Sequence, residues 1–288
     1  MRFSPHSLLT LGLTLPLLTS CIALTGSPRT VDTQTGESVS IDQLADALTD
    51  YDVIFLGEEH DNTAVHELQF ELTRALHERR DEVALSLEMF ERDVQNELNF
   101  YLLGVIDEES MLERTRPWSN YERHYRVGIE YARANDLDVI AANCPRSLAA
   151  KVASEGIAAV LGSGYVASNV TTWDSAYRAR FDAVMSGHGG MDSSMDKFYA
   201  AQCVKDDTMA ESIAHYIRDH ASDQPQVVHW CGRFHSDYHL GTVSRLAQRN
   251  PDLKIAVISC ISGLRTYRDL TEDERRLGQY VWLVPPAN

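Results

Sequence analysis

Five short apolar runs alternate along the chain with longer segments of helical periodicity. The runs are Val53–Leu56, Val83–Leu87, Val139–Ala142, Val227–Trp230 and Ile255–Ile258. Continuous apolar runs of this length are typical of strands that are buried on both faces of a parallel sheet. Apolar residues at helical spacing from Val65 to Leu76 predict a crossover helix after the first run. The pattern predicts an α/β fold with a central, mostly parallel sheet flanked by helices, and Tyr280–Val284 is an expected edge strand.

Two long segments, residues 93–135 and 147–221, are mostly helical in pattern. We interpret them as helical insertions that form a subdomain packed on the sheet. Ser40 and Gln43 have the spacing of a capping box, so the folded part is expected to begin near Ser40. The sequence contains no internal repeat and no linker between two halves, so residues 40–288 are expected to form one domain.

The first 20 residues have the pattern of a signal peptide, because Arg2 precedes an apolar run that is too short to span a bilayer. The run ends in Leu18-Thr19-Ser20-Cys21, which resembles the lipobox of bacterial lipoproteins. This resemblance implies lipidation at Cys21 and a location at the outer membrane on the periplasmic side, to which Ile22 also points. Residues 21–39 are predicted to be a flexible tether. The alternative is a buried N-terminal helix with a chance cysteine.

Composition and charge exclude several classes of protein. Hydrophobic residues make up 44% of the chain and charged residues 24%, which is typical of a globular protein. The formal net charge of −16 opposes binding to phosphate backbones, so no nucleic-acid partner is expected. The cysteines after Cys21 allow three disulfide pairings, and buried thiols are an equally good interpretation. They are Cys144, Cys203, Cys231 and Cys260.

Acidic and imidazole side chains follow several of the predicted strands. Glu58 and His60 come after the first run, Glu88 after the second, and His235 shortly after the Val227 run. Ligands of open α/β sheets bind beyond the carboxyl ends of the strands, so we expect these four side chains to converge. Two carboxylates and two imidazoles suit a divalent metal ion such as Zn or Mn, or a general base acting on water. The alternative is that Glu58 and His60 only pair with each other and cap the next helix.

A second layer of residues is expected around this cluster. Asn143 and Arg146 are interpreted as groups that orient a substrate, with an ordinary salt bridge as the alternative. The residues expected in this second layer are Asp61, His66, Asn143 and Arg146. The HExxH motif and the G-x-S-x-G elbow are absent from the sequence, so neither zincins nor α/β-hydrolases are supported.

Four blocks in order along the chain resemble the ChaN family of bacterial haem-binding proteins of iron uptake. They are Ile54-Phe55-Leu56-Gly57-Glu58-Glu59-His60-Asp61-Asn62, Leu87-Glu88-Met89-Phe90-Glu91, Ala141-Ala142-Asn143-Cys144-Pro145-Arg146, and Ala200-Ala201-Gln202 with Asp206-Asp207-Thr208-Met209-Ala210. The resemblance extends from about Tyr51 to His235. It implies an α/β core with a helical subdomain, and haem bound between two protomers of a homodimer as a pair of facing macrocycles.

The resemblance also implies that a tyrosine ligates the haem iron, with help from a histidine of the other protomer. Tyr177 and Tyr165 are the tyrosine candidates and His188 is the histidine candidate, although the family's His-rich loop is reduced here to this single residue. Arg178 and Arg180 are candidates for pairing with the haem propionates. The alternative for Tyr177 is a helix aromatic packed in the core.

The block from Gly57 to His60, together with Glu88 and a late histidine, also resembles a wider group that includes the erythromycin esterases and the TIKI metalloproteases. This likeness implies a second function, in which Glu58, His60, Glu88 and His235 serve hydrolysis directly or through a divalent metal ion. The sequence therefore predicts a lipid-anchored haem-binding protein, and its alternative is a metal-dependent hydrolase.

Overall fold

The computed structural model describes residues 27–186, 193–263 and 265–287. The predicted signal peptide, Cys21 and His188 lie outside these residues. An eight-stranded sheet forms the centre of the described chain. Its strands are β1 Arg29–Asp32, β2 Ser38–Val39, β3 Val53–Glu58, β4 Val83–Glu91, β5 Val139–Asn143, β6 Gln226–Gly232, β7 Ile255–Ser262 and β8 Tyr280–Val284.

The sheet is mostly parallel, as the apolar runs predicted. The strand order is β2-β1-β8-β7-β3-β6-β4-β5, and all neighbours from β8 to β5 run parallel to one another. Only β1 breaks this pattern in the described sheet, because it pairs antiparallel with both β8 and β2. The five predicted runs all form strands, and β3 and β6 are buried along their whole length. The predicted α/β class is confirmed.

Helices cover both faces of the sheet. They are α1 Ile41–Leu48, α2 Thr63–His77, α3 Gln95–Leu102, α4 Glu108–Thr115, α5 Tyr121–His124, α6 Arg126–Ala134, α7 Arg146–Glu155, α8 Ser175–Met185, α9 Ser193–Asp219 and α10 Thr242–Arg249. Ser40 and Gln43 form the capping box that was predicted at the start of α1. Among the described helices, none has both the length and the apolar character needed to cross a bilayer.

Alternate side chains of each strand supply two separate cores. Ile54 and Leu56 of β3 pack with α1 to α6 on one face. Val53 and Phe55 of the same strand pack with α9 and α10 on the other. Because successive side chains of a strand point to opposite faces, a strand that lies between two layers of helices must be apolar at every position. This requirement explains the continuous apolar runs in the sequence.

The beginning of the chain differs from the prediction. Residues 21–39 were expected to be a flexible tether, but Arg29–Asp32 and Ser38–Val39 form strands of the sheet. β1 pairs with β8 from Arg29↔Leu283 to Asp32↔Tyr280. Tyr280–Val284 is therefore an internal strand and not the expected edge. A four-residue strand without strong alternation carries little signal in the sequence, because its partner lies about 250 residues away.

The four cysteines in the described chain are free thiols. Cys144, Cys203, Cys231 and Cys260 are all buried. Of the two interpretations that the sequence left open, the buried thiol is the one that the structure shows. Burial raises the pKa of Cys144 and of Cys203 to about 12, so these two side chains are neutral at physiological pH.

Candidate functional site

The sheet brings the carboxyl ends of three strands side by side. β6 lies between β3 and β4, and the three strands are parallel. Glu58, the last residue of β3, is in register with Gly232 at the end of β6. A short 3₁₀ turn after β6 carries His235, whose side chain reaches Glu88 of β4. We call the group formed by Glu58, His60, Glu88 and His235 the sheet-end cluster.

Glu58 is buried and its carboxylate is fully engaged in hydrogen bonds. Its Oε1 accepts from Nδ1 of His60 at 2.8 Å and from the hydroxyl of Tyr125. Its Oε2 accepts from Nε2 of Gln69 at 2.7 Å. Burial alone would raise the pKa of Glu58, but the hydrogen bond from His60 and the nearby His66 lower it below its ordinary value. Glu58 is therefore a carboxylate at neutral pH.

His235 lies between two buried carboxylates. Its Nε2 is 3.3 Å from Oε1 of Glu88, and its Nδ1 is 2.7 Å from Oδ1 of Asp206. Burial opposes the charged imidazolium, but the two carboxylates outweigh it and raise the pKa of His235 to about 10. Burial also opposes ionisation of Glu88, and the charge of His235 nevertheless holds the pKa of Glu88 well below its ordinary value. His235 is thus a cation that donates a hydrogen bond to Asp206 and forms an ion pair with Glu88.

Gly232 lets the two halves of the cluster come together. A Cβ atom at this position would lie 2.8 Å from Cε1 of His60 and 3.5 Å from Oε2 of Glu88. The backbone N–H of Gly232 donates to Oε2 of Glu88 at 2.7 Å. A larger residue would push the ring of His60 away from Glu88, so the glycine keeps the four side chains close. The convergence predicted from the strand ends is present in the structure.

His60 is the member of the cluster that faces solvent. Its side chain is 45% exposed, whereas that of Glu58 is 1% exposed. The edge of its ring packs against Trp118 with 4.7 Å between the ring centroids. Burial lowers the pKa of His60, but the hydrogen bond to Glu58 and the charge of Glu88 raise it above its ordinary value.

The second layer of the cluster contains two of the four predicted residues. His66 donates Nε2–H to the carbonyl of His60 at 3.0 Å. The side chain of Asn143 donates to the carbonyl of Glu88 at 3.1 Å. Asp61 and Arg146, by contrast, are exposed side chains for which the structure shows no contact with the cluster. Asn143 and Arg146 differ because Asn143 ends a buried strand, whereas Arg146 begins α7 on the surface.

Sequence reasoning missed several residues that hold the cluster in place. Asp206 of α9 accepts hydrogen bonds from His235, from the hydroxyl of Thr242 at 2.9 Å and from that of Tyr177 at 2.6 Å. It belongs to a block that carries the ChaN resemblance, which was the available signal. Gln69 lies on α2, 11 residues after Glu58, and Tyr125 lies between α5 and α6, 67 residues after it. Neither residue stood out in the sequence as a partner of Glu58.

The predicted divalent metal ion finds no support in the described residues. Within them, no group of three or more His, Cys, Asp or Glu side chains is arranged to hold a metal ion. In this arrangement both ring nitrogens of His235 already face carboxylates, Nδ1 at 2.7 Å from Asp206 and Nε2 at 3.3 Å from Glu88.

Tyr177 is not available to ligate haem in this structure. Its side chain is 0% exposed, and its hydroxyl donates to Asp206 at 2.6 Å. Burial and the negative charge of Asp206 raise the pKa of Tyr177 well above its ordinary value, which disfavours the phenolate that iron requires. Tyr177 thus lies in the core, as the alternative had it, and its role as a haem ligand stays a prediction.

Arg178 and Arg180 are also engaged by the protein itself. Arg178 pairs with Asp182 at 2.8 Å and with Asp196 at 2.7 Å. Arg180 pairs with the buried Asp237 at 2.8 Å. A propionate would have to compete with these carboxylate partners, and the pairing of Arg178 and Arg180 with propionates stays a prediction.

Tyr165, unlike the buried Tyr177, is open to solvent. It belongs to residues 156–186, which we call the outer segment, and its side chain is 47% exposed. The preceding residue, Gly164, lines a cavity of about 520 Å³ beside the edge strand β5. Large exposed apolar side chains are frequent in the outer segment, namely Leu161, Tyr165, Trp173 and Val184. Their exposure leaves apolar area open to water that a ligand would cover.

Comparison with known proteins identifies the family. The family model described as haem-binding uptake, Tiki superfamily, ChaN matches residues 44–246. The chain belongs to this family. The ChaN resemblance carried by the sequence blocks is therefore confirmed. Among curated proteins, none matches the sequence significantly.

Two solved structures show the same fold. The ChaN protein of Campylobacter jejuni, described with cofacial haem binding, has a TM-score of 0.67 and 18% identity over 88% of this chain and 96% of its own. A mutant of the erythromycin esterase EreC in its open conformation has a TM-score of 0.50 and 13% identity over 82% of this chain and 77% of its own. At these identities, the likeness establishes the fold and leaves individual residue roles to the geometry above.

Proposed function

We propose that this protein binds haem and takes part in haem or iron acquisition as a lipoprotein. The observation that carries the proposal is the match of the haem-binding uptake family over residues 44–246. The lipobox-like sequence that ends at Cys21 supports an anchor in outer-membrane lipid on the periplasmic side, and it was inferred independently of the family. The two arguments agree, because a haem-uptake protein of bacteria has to meet its ligand outside the cytoplasm.

Tyr165 is the residue that we propose as the haem iron ligand. A phenolate is a hard anionic ligand that favours ferric haem, and both Tyr165 and Leu161, four residues before it in the sequence, are exposed. A haem bound there would cover apolar surface that is otherwise open to water. We also propose that a second copy of the chain covers the other side of the haem, so that the homodimer forms when haem is bound.

Titration with hemin tests this proposal. The wild-type protein should give a shifted Soret band, and the Tyr165→Phe variant should lose most of that shift because its ring has no oxygen to offer to iron. The Tyr177→Phe variant is the matched control, since it removes an equivalent hydroxyl that is buried on Asp206. A free-hemin spectrum for the wild-type protein at every ratio would reject haem binding, and an unchanged shift in Tyr165→Phe would reject this ligand.

The sheet-end cluster favours a second candidate function, hydrolysis by direct acid–base catalysis. The specific observation is that the partly exposed His60 is held at 2.8 Å by the buried carboxylate of Glu58, an arrangement that orients a general base. This function requires no resident metal ion. The His60→Ala variant should abolish hydrolysis of an activated ester such as p-nitrophenyl acetate while leaving the Soret shift intact, and equal rates for variant and wild type would reject the candidate.

A further inference from the structure

A second cavity lies at the β2 edge of the sheet, far along the strand order from the sheet-end cluster. Residues of β1, β2 and β8 line it, and β7 lies between these strands and β3. The cavity has a volume of about 400 Å³. Its lining includes Arg29 at the start of β1, Ser38 of β2, and the loop residues Thr266, Tyr267 and Arg268. We call it the arginine cavity.

The charge of this lining contrasts with the rest of the molecule. The formal net charge of the chain is −16, yet the described lining contains two arginines and no carboxylate. In the same loop, Arg265 forms an ion pair with Glu274. Among the ion pairs of the described residues, none involves Arg29 or Arg268. Both arginines are exposed, and an anion that enters the cavity is attracted by the two positive charges of its lining.

The walls of the cavity are fixed before any ligand arrives. The hydroxyl of Tyr267 donates to the carbonyl of Thr33 at 3.2 Å. Gly36 has a φ of 75°, and a Cβ atom there would lie 2.5 Å from the Tyr267 ring, so this turn packs directly on the aromatic wall. The carboxylate of Asp269 accepts from the backbone N–H of Thr266 at 2.7 Å and from its hydroxyl at 2.8 Å. These contacts hold the loop backbone in place, so binding does not have to order it.

The donors that remain match a phosphate group. The hydroxyl of Thr266 already donates to Asp269, which leaves the guanidinium groups of Arg29 and Arg268 and the hydroxyl of Ser38 as donors. Planar guanidinium groups bind the oxygens of phosphate through paired hydrogen bonds. We infer that the arginine cavity binds a phosphate group.

The position of the cavity suggests the source of that phosphate. Arg29 follows Cys21 by eight residues, which span at most about 28 Å when fully extended. If the proposed anchor at Cys21 is correct, the cavity lies within reach of lipid headgroups, and this part of the inference rests on the proposed function. A free phosphate compound presents the same chemistry, so the experiment has to separate the two sources.

Calorimetric titration of the full chain provides the test, with inorganic phosphate as one probe and dihexanoyl phosphatidylglycerol as the other. Dihexanoylglycerol, which has the same acyl chains and no phosphate group, controls for binding of the acyl chains. The Arg29→Gln/Arg268→Gln double variant should bind at least about tenfold more weakly than wild type, because charge-assisted hydrogen bonds are lost. Arg146→Gln is the matched control, since Arg146 is an exposed arginine outside the cavity, and it should bind as wild type does.

The pattern of outcomes distinguishes the sources. Loss of phosphatidylglycerol binding in the double variant supports a headgroup site, and loss of phosphate binding alone supports a site for a soluble phosphate compound. Equal binding by wild type and double variant, or no heat with either probe, overturns the inference. The Soret shift with hemin should be the same in all variants, so a failure of haem binding is measured separately.

Discussion

The sheet-end cluster and the outer segment differ in how their polar groups are held. In the cluster, Glu58, Glu88 and His235 are buried and each has a charged or hydrogen-bonding partner. In the outer segment, Tyr165 and Trp173 expose large aromatic side chains to solvent. Buried polar groups need partners with fixed geometry. Exposed apolar side chains, by contrast, lower the free energy of binding when a ligand covers them. The cluster is thus preorganised, and the outer segment is open for binding.

The largest effect on stability is expected when the cation of the sheet-end cluster, His235, is removed. The His235→Ala variant leaves the carboxylates of Glu88 and Asp206 buried without their counter-charge, so the free energy of unfolding should fall by about 3–5 kcal/mol. Urea denaturation measures this change. His60→Ala is the control in the same cluster, and it should cost about 1 kcal/mol or less because its side chain is 45% exposed. Similar losses for both variants would contradict the difference in burial.

The charge of His235 also makes the free energy of unfolding depend on pH, and the pKa of His235 sets the direction of that dependence. The pKa of His235 is raised from 6.5 to about 10, so its contribution to stability is complete below about pH 6.5 and is lost as the pH rises toward 10. The difference in free energy of unfolding between wild type and His235→Ala should therefore shrink on going from about pH 6 to about pH 10. A difference that stayed constant over this range would show that His235 is not the predicted imidazolium.

A smaller effect separates the two tyrosines. Tyr177→Phe removes the hydroxyl that donates to the buried Asp206 at 2.6 Å, so it should lower the free energy of unfolding by about 1–3 kcal/mol. The exposed hydroxyl of Tyr165 makes a smaller contribution, and Tyr165→Phe should change stability by less than about 0.5 kcal/mol. Urea denaturation of both variants, together with their Soret spectra, would show whether one tyrosine serves the fold and the other serves the ligand. The opposite assignment of stability and spectrum would reverse this comparison.

Much of the fold could be predicted because it depends on local patterns. The apolar runs at Val53 and Val227 indicated strands buried on both faces, and Ser40 with Gln43 indicated the start of α1. The sheet-end cluster could also be predicted, since parallel strands bring Glu58 and Glu88 to one edge of the sheet. Family membership was evident from four short blocks, three at the ends of β3, β4 and β5 and the fourth within α9.

The roles of the tyrosines and arginines could not be predicted in this way. The sequence around Tyr177 and Tyr165 does not distinguish a buried tyrosine from an exposed one. The packing of α9 against Tyr177 places its hydroxyl within hydrogen-bond distance of Asp206. Arg180 was a candidate for a propionate until Asp237, 57 residues away, proved to be its partner. Contacts between residues this far apart depend on how helices pack, and neither periodicity nor spacing encodes that packing.

The sequence by itself determined the α/β class, the polar ends of the strands and the family. These features depend on the order of apolar and polar residues within short stretches, where the backbone repeat dictates which side chains share a face. The tertiary structure decided that β1 joins the sheet, that His235 is a cation between two carboxylates, and that Tyr165 rather than Tyr177 is open to a ligand. Burial and charge at those positions come from residues that are distant in the chain, and they exist only once the chain has folded.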